Sequence, residues 1–195
     1  MAYPTVSAPY GFQPINRLDG MPYAGATRTY KIAGTYNTPI YNGDLVILVT
    51  GGTIEKFTGT ASGSPVGVFM GCNYTSAQKQ PLNAQYYPGT SVTEASAVVV
   101  VDPTALFQVV ATTDASVVSS GTLASIGSNM EVVTGTGNAN TGDSGMSVLA
   151  GSEADTAAFP IRVVDVVYAT ATSATTFPEL IVKINLHQFN NTTGV

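Results

Sequence analysis

The chain has 195 residues, which suits one domain or one domain with a sizeable insertion. Hydrophobic residues make up 44% and charged residues only 10%, so the chain can bury a core. The surface around this core repels other proteins only weakly, which permits large protein contacts but is equally compatible with an ordinary stable domain. The net charge is −5 and the seven Lys and Arg residues are scattered, so we expect no nucleic-acid partner, because such binding needs a basic patch.

The sequence also argues against export and against a membrane partner. Its single cysteine, Cys72, excludes an intramolecular disulfide, and we expect it to be a small buried hydrophobic residue. The longest apolar stretches, such as residues 95–101, are far shorter than the roughly 20 residues of a membrane-spanning helix. Residues 1–14 show no signal-peptide pattern, so we expect synthesis in a reducing cytoplasm.

Residues 1–27 are predicted to form an extended N-terminal arm. Four prolines interrupt this segment, and proline is excluded from helix interiors and central strands. Aromatic residues recur in it, although a disordered tail would be poor in them. The arm therefore either wraps its own domain or packs on a neighbouring subunit or a separate partner. Its candidate contact residues are Tyr3, Tyr10, Phe12, Ile15, Leu18 and Tyr23.

Residues 28–111 are predicted to form a β core. Within it, residues 41–71 contain three short strand patterns separated by glycine-rich turns, typical of a small β-meander. Residues 97–101 and 106–111 are further strands on either side of an Asp-Pro turn. The pair Tyr86 and Tyr87 either contacts a partner or caps the core, because tyrosine combines apolar area with a hydroxyl.

The remainder of the chain is predicted to extend the β structure. Residues 112–156 are rich in Ser, Gly and Thr, which indicates an insertion or second lobe, with a long-looped hairpin around residues 134–145. Residues 157–189 carry two strong strand patterns, expected to pair antiparallel and close the core. Residues 190–195 are a tail. The fold class is therefore all-β, as a sandwich or small barrel.

No residue pattern points to catalysis. Residues 134–145 lack both the glycine spacing of a dinucleotide site and the terminal glutamate of an EF-hand, so a turn-rich loop is expected. His187 is the only histidine, which excludes a histidine-rich zinc site. A Ser/His/Asp triad could combine His187 and Asp165 with a serine, but the sequence contains no GxSxG elbow to carry that serine. We expect no catalytic residue, no cofactor and no metal site, and thus not an enzyme.

One segment carries a family resemblance. Residues 53–71, TIEKFTGTASGSPVGVFMG, contain a strand, a Gly/Thr turn and a small-residue pair leading into V-G-V-F. This pattern resembles the central motif of the lambda-type head decoration proteins of tailed bacteriophages, and the proline-rich arm is similar to their extended N-terminal segment. The opening SAPYGFQPINRLDG and the ending IVKINLH also resemble virion structural proteins of marine and cyanobacterial phages.

The resemblance implies a capsid decoration, or cement, protein made in the host cytoplasm and bound to the outer capsid surface of the virion. It implies a β-tulip-like core, a homotrimer and the major capsid protein as partner. It also implies that the arm adds a strand to capsid edges, and that the long continuation after Gly71 is an enlarged sheet or inserted lobe. The implied oligomer and capsid platform consists of Ile54, Phe57, Val66, Val68 and Phe69.

Two other functions remain open from the sequence. A tail-tube, head–tail connector or fibre-associated virion protein would form rings or elongated fibres rather than compact trimers. A carbohydrate-binding or enzymatic β domain would be expected to present aromatic platforms and paired carboxylates, and the absence of tryptophan argues against it.

Overall fold

The computed structural model describes residues 9–59, 62–90, 92–112, 123–170 and 178–190. In this part of the chain there are thirteen strands and two 3₁₀ turns of three residues each. The strands form one closed and one nearly closed barrel. The prediction of an all-β fold is confirmed.

The first barrel is built from consecutive strands in the first half of the chain. Pairing runs β3–β4–β2–β7–β5 and returns from β5 to β3, so the ring is closed. The β2–β4 pair is parallel and the other pairs are antiparallel, while β6 extends from β5 outside the ring. Its strands are β2 (Thr27–Ile32), β3 (Leu45–Val49), β4 (Thr53–Lys56), β5 (Gly67–Ser76), β6 (Pro81–Ala84) and β7 (Val92–Val100).

The three strands predicted within residues 41–71 are present, but they do not pair in the order expected of a meander. The Gly51-Gly52 turn joins β3 and β4 as a hairpin, both glycines having positive φ. The longer connection after β4 then returns the chain to the other edge of β3, so β5 pairs with β3 and not with β4. The free edge of β4 instead pairs with β2, which closes the barrel.

The second sheet is centred on β8. Its order is β10–β11–β8–β13–β12–β9, and only Glu131 separates β9 from β10 in sequence, so the sheet almost closes on itself. On the edge of β8 opposite β13, β1 pairs with residues 105–108 and β11 with residues 111–112. The strands are β1 (Gln13–Arg17), β8 (Ala105–Thr112), β9 (Asn129–Met130), β10 (Val132–Val133), β11 (Ser147–Leu149), β12 (Ile161–Val166) and β13 (Glu179–Ile184).

These pairings shift the predicted domain boundaries. The chain leaves the first barrel after β7, so β8 belongs to the second sheet rather than to a core spanning residues 28–111. In the described part of residues 112–156, strands β9 to β11 complete that sheet instead of forming a separate lobe. The long-looped hairpin and the antiparallel β12–β13 pair are confirmed. That pair joins β8, however, and does not close the first barrel.

Alternation of side chains along the strands creates two adjoining hydrophobic clusters. Val46 and Phe69 lie in the cluster inside the first barrel. Their chain neighbours Leu45 and Val68 lie on the opposite face of the same strands, in a larger cluster around Phe107 of β8. The first barrel therefore shares its outer wall with the core of the second sheet, and the two sheets are stabilised together.

We predict that Gly67→Ala strongly destabilises the protein. A Cβ at Gly67 would overlap the carbonyl oxygen of Val100 on β7, where the two backbones approach closely. We expect a loss of about 2–4 kcal/mol in the free energy of unfolding, measured by urea titration. Gly34→Ala is the matched control, because no atom lies within 4 Å of its Cβ position. Equal midpoints for the two variants would contradict the close approach.

Candidate binding surface

The N-terminal segment is anchored to the protein's own second sheet from residue 10 onward. The hydroxyl of Tyr10 donates a hydrogen bond to the carboxylate of Glu179 on β13. Burial is the main cause that raises the pKa of Tyr10 above its usual value, and the neighbouring Glu179 adds to it. Phe12 is fully buried and packs edge-to-face on Phe107, with ring centroids 6.4 Å apart.

The arm prediction therefore needs correction for part of its length. Phe12 lies in the protein's own core, and Ile15 lies half-buried in β1, whose backbone pairs with β8. Tyr23 packs partly against the same core. These residues agree with the alternative in which the arm wraps its own domain, because the edge of β8 is open to pairing with β1. Tyr3 lies outside the described residues.

The predicted platform residues cannot contact a partner through their side chains. All five are at most 2% exposed, so they form the walls between and within the two hydrophobic clusters. The sequence alone suggests a contact surface for these apolar side chains, but they fill the protein's own core. The platform assignment is therefore wrong for all five residues, which are Ile54, Phe57, Val66, Val68 and Phe69.

The turn that follows β1 is held rigidly against the segment between the two sheets. The backbone N–H of Arg17 donates to the carbonyl of Met21 at 2.9 Å, and the N–H of Leu18 donates to the carbonyl of Thr104 at 2.9 Å. The Arg17 guanidinium contacts the carboxylate of Asp102 at 3.1 Å. These contacts fix the turn by both backbone and side-chain interactions.

The Asp102 carboxylate is held in its charged form. Partial burial alone would raise its pKa, but two hydrogen bonds from Thr104 and the charge of Arg17 together lower it. The carboxylate therefore stays charged at neutral pH, and it anchors the base of the turn.

Two large apolar side chains project from this fixed turn. Leu18 is 50% exposed and Met21 is 59% exposed, although their backbones are hydrogen-bonded in place. An isolated exposed apolar residue needs no explanation, but two on one rigid turn form a preorganised contact that loses little entropy when it binds. We call Leu18 and Met21 the displayed pair. Other exposed large apolar residues in the described part of the chain are Leu82, Ile126, Tyr168 and Phe189.

A buried carboxylate in the first barrel, that of Asp44, is hydrogen-bonded to the loop between β10 and β11. The carboxylate of Asp44 is fully buried and lies 3.1 Å from the Lys56 ammonium. It also accepts hydrogen bonds from the Ser144 hydroxyl at 2.5 Å and the Tyr41 backbone N–H at 2.8 Å. Burial raises the pKa of Asp44, and the Lys56 charge and these hydrogen bonds oppose the rise. With Lys56, Ser144 and Tyr41 as partners, the buried charge is both paired and hydrogen-bonded, which is typical of a structural role.

In the described part of the chain, no hydrogen bond joins His187 to Asp165, the two residues of the imagined triad. His187 is fully buried, its Nδ1 accepts from the Phe189 N–H, and the carboxylate that influences it is Asp102 rather than Asp165. The described residues contain no group of three or more His, Cys, Asp or Glu that could hold a metal ion. Cys72 is buried as predicted, and burial raises its pKa to about 12, which makes the thiol a poor nucleophile.

The predicted tyrosine pair divides between two roles. Tyr87 is buried and its hydroxyl donates to the carbonyl of Tyr36, so it caps the first barrel. Tyr86 stacks on Tyr41 with centroids 5.3 Å apart. Tyr41 in turn covers Gly137 of the long loop, where any Cβ would overlap the ring. Both tyrosines therefore serve the fold within the protomer.

Sequence reasoning missed the residues that organise these regions. Asp44 and Ser144 lie 100 positions apart, and Arg17 and Thr104 lie 87 apart, so no local spacing reveals either contact. One signal was present: Asp44 directly precedes the continuous apolar run of β3, and a charge at the start of a buried strand requires a partner.

No helix in the described part of the chain is long and apolar enough to cross a membrane. Comparison with known proteins produced no match, either to a protein-family model, to a curated protein or to a solved structure.

We predict that Lys56→Met destabilises the protein by about 3–5 kcal/mol, because it leaves the Asp44 carboxylate buried without its cation. The double variant Asp44→Asn with Lys56→Met should lose less, since it removes both charges at similar volume. Urea unfolding of the three proteins measures these differences. If Lys56→Met unfolds at the wild-type urea concentration, the ion pair does not stabilise the fold.

We also predict that His187 makes the fold acid-sensitive. Burial is the main cause that lowers its pKa below 6.5, so near that pH the unfolded chain binds more protons than the folded one. Stability must then fall as the pH falls through 6.5, with a slope of at most about 1.4 kcal/mol per pH unit from this group.

The measurement is urea unfolding of wild type and His187→Gln at about pH 7.5 and about pH 5.5, on either side of the imidazole's usual titration. Asp44, whose pKa is raised, contributes with the opposite sign in both proteins, so the difference between them isolates His187. An equal pH dependence in the two proteins would show that His187 does not titrate differently on folding.

Proposed function

We propose that this chain is a virion structural protein: a capsid decoration protein that binds the outer face of a phage head and bridges neighbouring major capsid proteins. The homotrimer implied by the family resemblance is part of this proposal. The observation that carries it is the displayed pair, Leu18 and Met21, which project half-exposed from a turn fixed by the Arg17–Asp102 ion pair.

The displayed pair suits binding to a repeated surface. A few well-placed residues provide most of the energy at protein interfaces, and the neighbours around them exclude water; Met and Arg are among the residue types enriched there. Arg17 and Asp19, 3.5 Å apart, provide such a polar rim beside the pair. Many copies act together on a capsid, so each contact needs only modest affinity.

The all-β architecture supports the same proposal. The closed first barrel and the nearly closed second one share a hydrophobic wall, and the closed ring leaves β6 as the strand of that sheet with a free edge in the described part of the chain. The resemblance of residues 53–71 to head decoration proteins agrees with this use. That segment contributes β4 and the start of β5, which build the shared wall rather than the contact surface.

We predict that Leu18→Ser with Met21→Ser leaves the fold intact and weakens capsid decoration by at least about tenfold, a combined loss of about 1.4 kcal/mol for the two apolar side chains. Phage heads lacking the protein are incubated with each variant, and bound protein is quantified after sedimentation. Tyr168→Ser, at a residue that is 64% exposed on another element, is the matched control.

Equal decoration by the double variant and the control would refute the assigned surface. Cryo-electron microscopy of the decorated heads tests the function itself. Density on the outer capsid face, in groups of three, agrees with the proposal, whereas density confined to the tail identifies a tail or connector protein.

A further inference from the structure

The last described segment of the chain joins the second sheet to the first barrel. After β13 ends, the N–H of Asn185 donates to the carbonyl of Pro160, directly before β12, at 2.7 Å. Further along, the N–H of Gln188 donates to the carbonyl of Pro65, shortly before β5, at 3.0 Å. Residues 187–190 therefore leave the second sheet and attach to the first barrel.

The side chain of Gln188 closes a part of the β3 edge that no described strand covers. On this edge β5 pairs with β3 at Leu45 and Val46 and not beyond them in the described part of the chain. The side-chain amide of Gln188 accepts a hydrogen bond from the Leu48 N–H and donates one to the Leu48 carbonyl, both at 2.9 Å. An amide can make both bonds because it carries an acceptor and two donors. It thus replaces a strand as the partner of both backbone groups of Leu48.

His187 holds the turn that carries Gln188, and it does so in its neutral form. The ring is fully buried. Its Nδ1 accepts a hydrogen bond from the Phe189 N–H at 3.2 Å, and its carbonyl accepts one from the Asn190 N–H at 2.8 Å. A ring nitrogen that accepts a hydrogen bond carries no proton, so the hydrogen bond assigns the ring hydrogen to Nε2. That nitrogen is buried without a hydrogen-bond partner.

Protonation of His187 is incompatible with this arrangement. A hydrogen on Nδ1 would point at the hydrogen of the Phe189 N–H, so one hydrogen bond of the turn would become a repulsive contact. The new charge would also lie in a fully buried site. The turn must therefore open for the ring to accept a proton.

The groups that face His187 do not compensate for this cost. In the described part of the chain, Asp102 is the charged side chain that acts on the ring, and its carboxylate already contacts the Arg17 guanidinium at 3.1 Å. The backbones of Val66 and Val101 also favour the charged ring. Burial outweighs all three influences and lowers the pKa of His187 below 6.5.

We propose that residues 187–190 are a pH-sensitive latch on the first barrel. When His187 is neutral, the turn holds Gln188 on Leu48 and the β3 edge is closed. When His187 is protonated, the turn detaches and the edge opens while both hydrophobic clusters stay packed. This opening can be local, because no residue of the 3₁₀ turn Gln188–Asn190 is buried. The latch does not depend on the proposed function.

Hydrogen exchange of single backbone amides, measured by NMR, tests the latch in the wild-type protein. The Leu48 amide should be protected at about pH 7.5. Its protection factor should fall by up to about tenfold per pH unit below 6.5, because opening takes up one proton. Exchange at Leu48 should hardly respond to low concentrations of urea, because a local opening exposes little surface. The fully buried Val109 in β8 should exchange only through global unfolding, so the same urea should speed its exchange.

Two variants separate the proton from the hydrogen bonds. The side-chain oxygen of His187→Asn can accept from the Phe189 N–H in place of Nδ1, and an amide does not titrate in this range, so Leu48 should stay protected and lose its pH response. Gln188→Ala removes both bonds to Leu48, so that amide should exchange about tenfold faster or more at about pH 7.5, with Val109 unchanged.

The proposal is overturned if the wild-type Leu48 amide shows no pH response, or if low urea speeds its exchange as it does at Val109. It is equally overturned if His187→Asn keeps the wild-type pH response, or if Gln188→Ala leaves Leu48 as protected as before.

Discussion

The fold depends on one buried charge, the carboxylate of Asp44. It lies where three parts of the chain meet: the start of β3, the segment before β1 and the loop between β10 and β11. Gly11 passes so close to Gly43 and Ser144 that a Cβ there would overlap both. An unpaired carboxylate at such a depth would be very unfavourable. The chain must therefore bring Lys56 and Ser144 to this point, which sets the position of the second sheet on the first barrel.

The shared hydrophobic wall follows from that arrangement. Strand alternation gives β3 and β5 one face inside the first barrel and one face outside it, and both faces are apolar at Leu45, Val46, Val68 and Phe69. In an isolated barrel the outer face would be exposed to water. Covering it with β8 and its neighbours turns a potential aggregation surface into a second core, and the two barrels consequently stabilise each other.

The sequence predicts the strands well because their signals are local. The apolar run of β3, the glycines at positions 51 and 52, and the β12–β13 patterns each act over a few residues. Strand neighbours and burial are not local. The sequence alone suggests an arm contact for Phe12, because it does not show that β8 has an edge to which β1 can pair. It likewise suggests a platform contact for Phe69, because it does not show that the barrel encloses this side chain. The displayed pair lies within the predicted arm, but only the turn's long-range contacts distinguish it from its buried neighbours.

Integration of the N-terminal segment changes what kind of binding the proposed function requires. A free arm that adds a strand to a capsid edge loses conformational entropy when it binds. Such an arm can also extend from one capsid subunit to the next. Here β1 already pairs with β8, and Asn16 also bridges to Pro22, so the backbone of residues 13–17 is committed within the protomer. Contact through this region must then be made by side chains on a preformed surface. Such a surface loses little entropy on binding, so the proposed function requires only small apolar contacts, repeated over many copies.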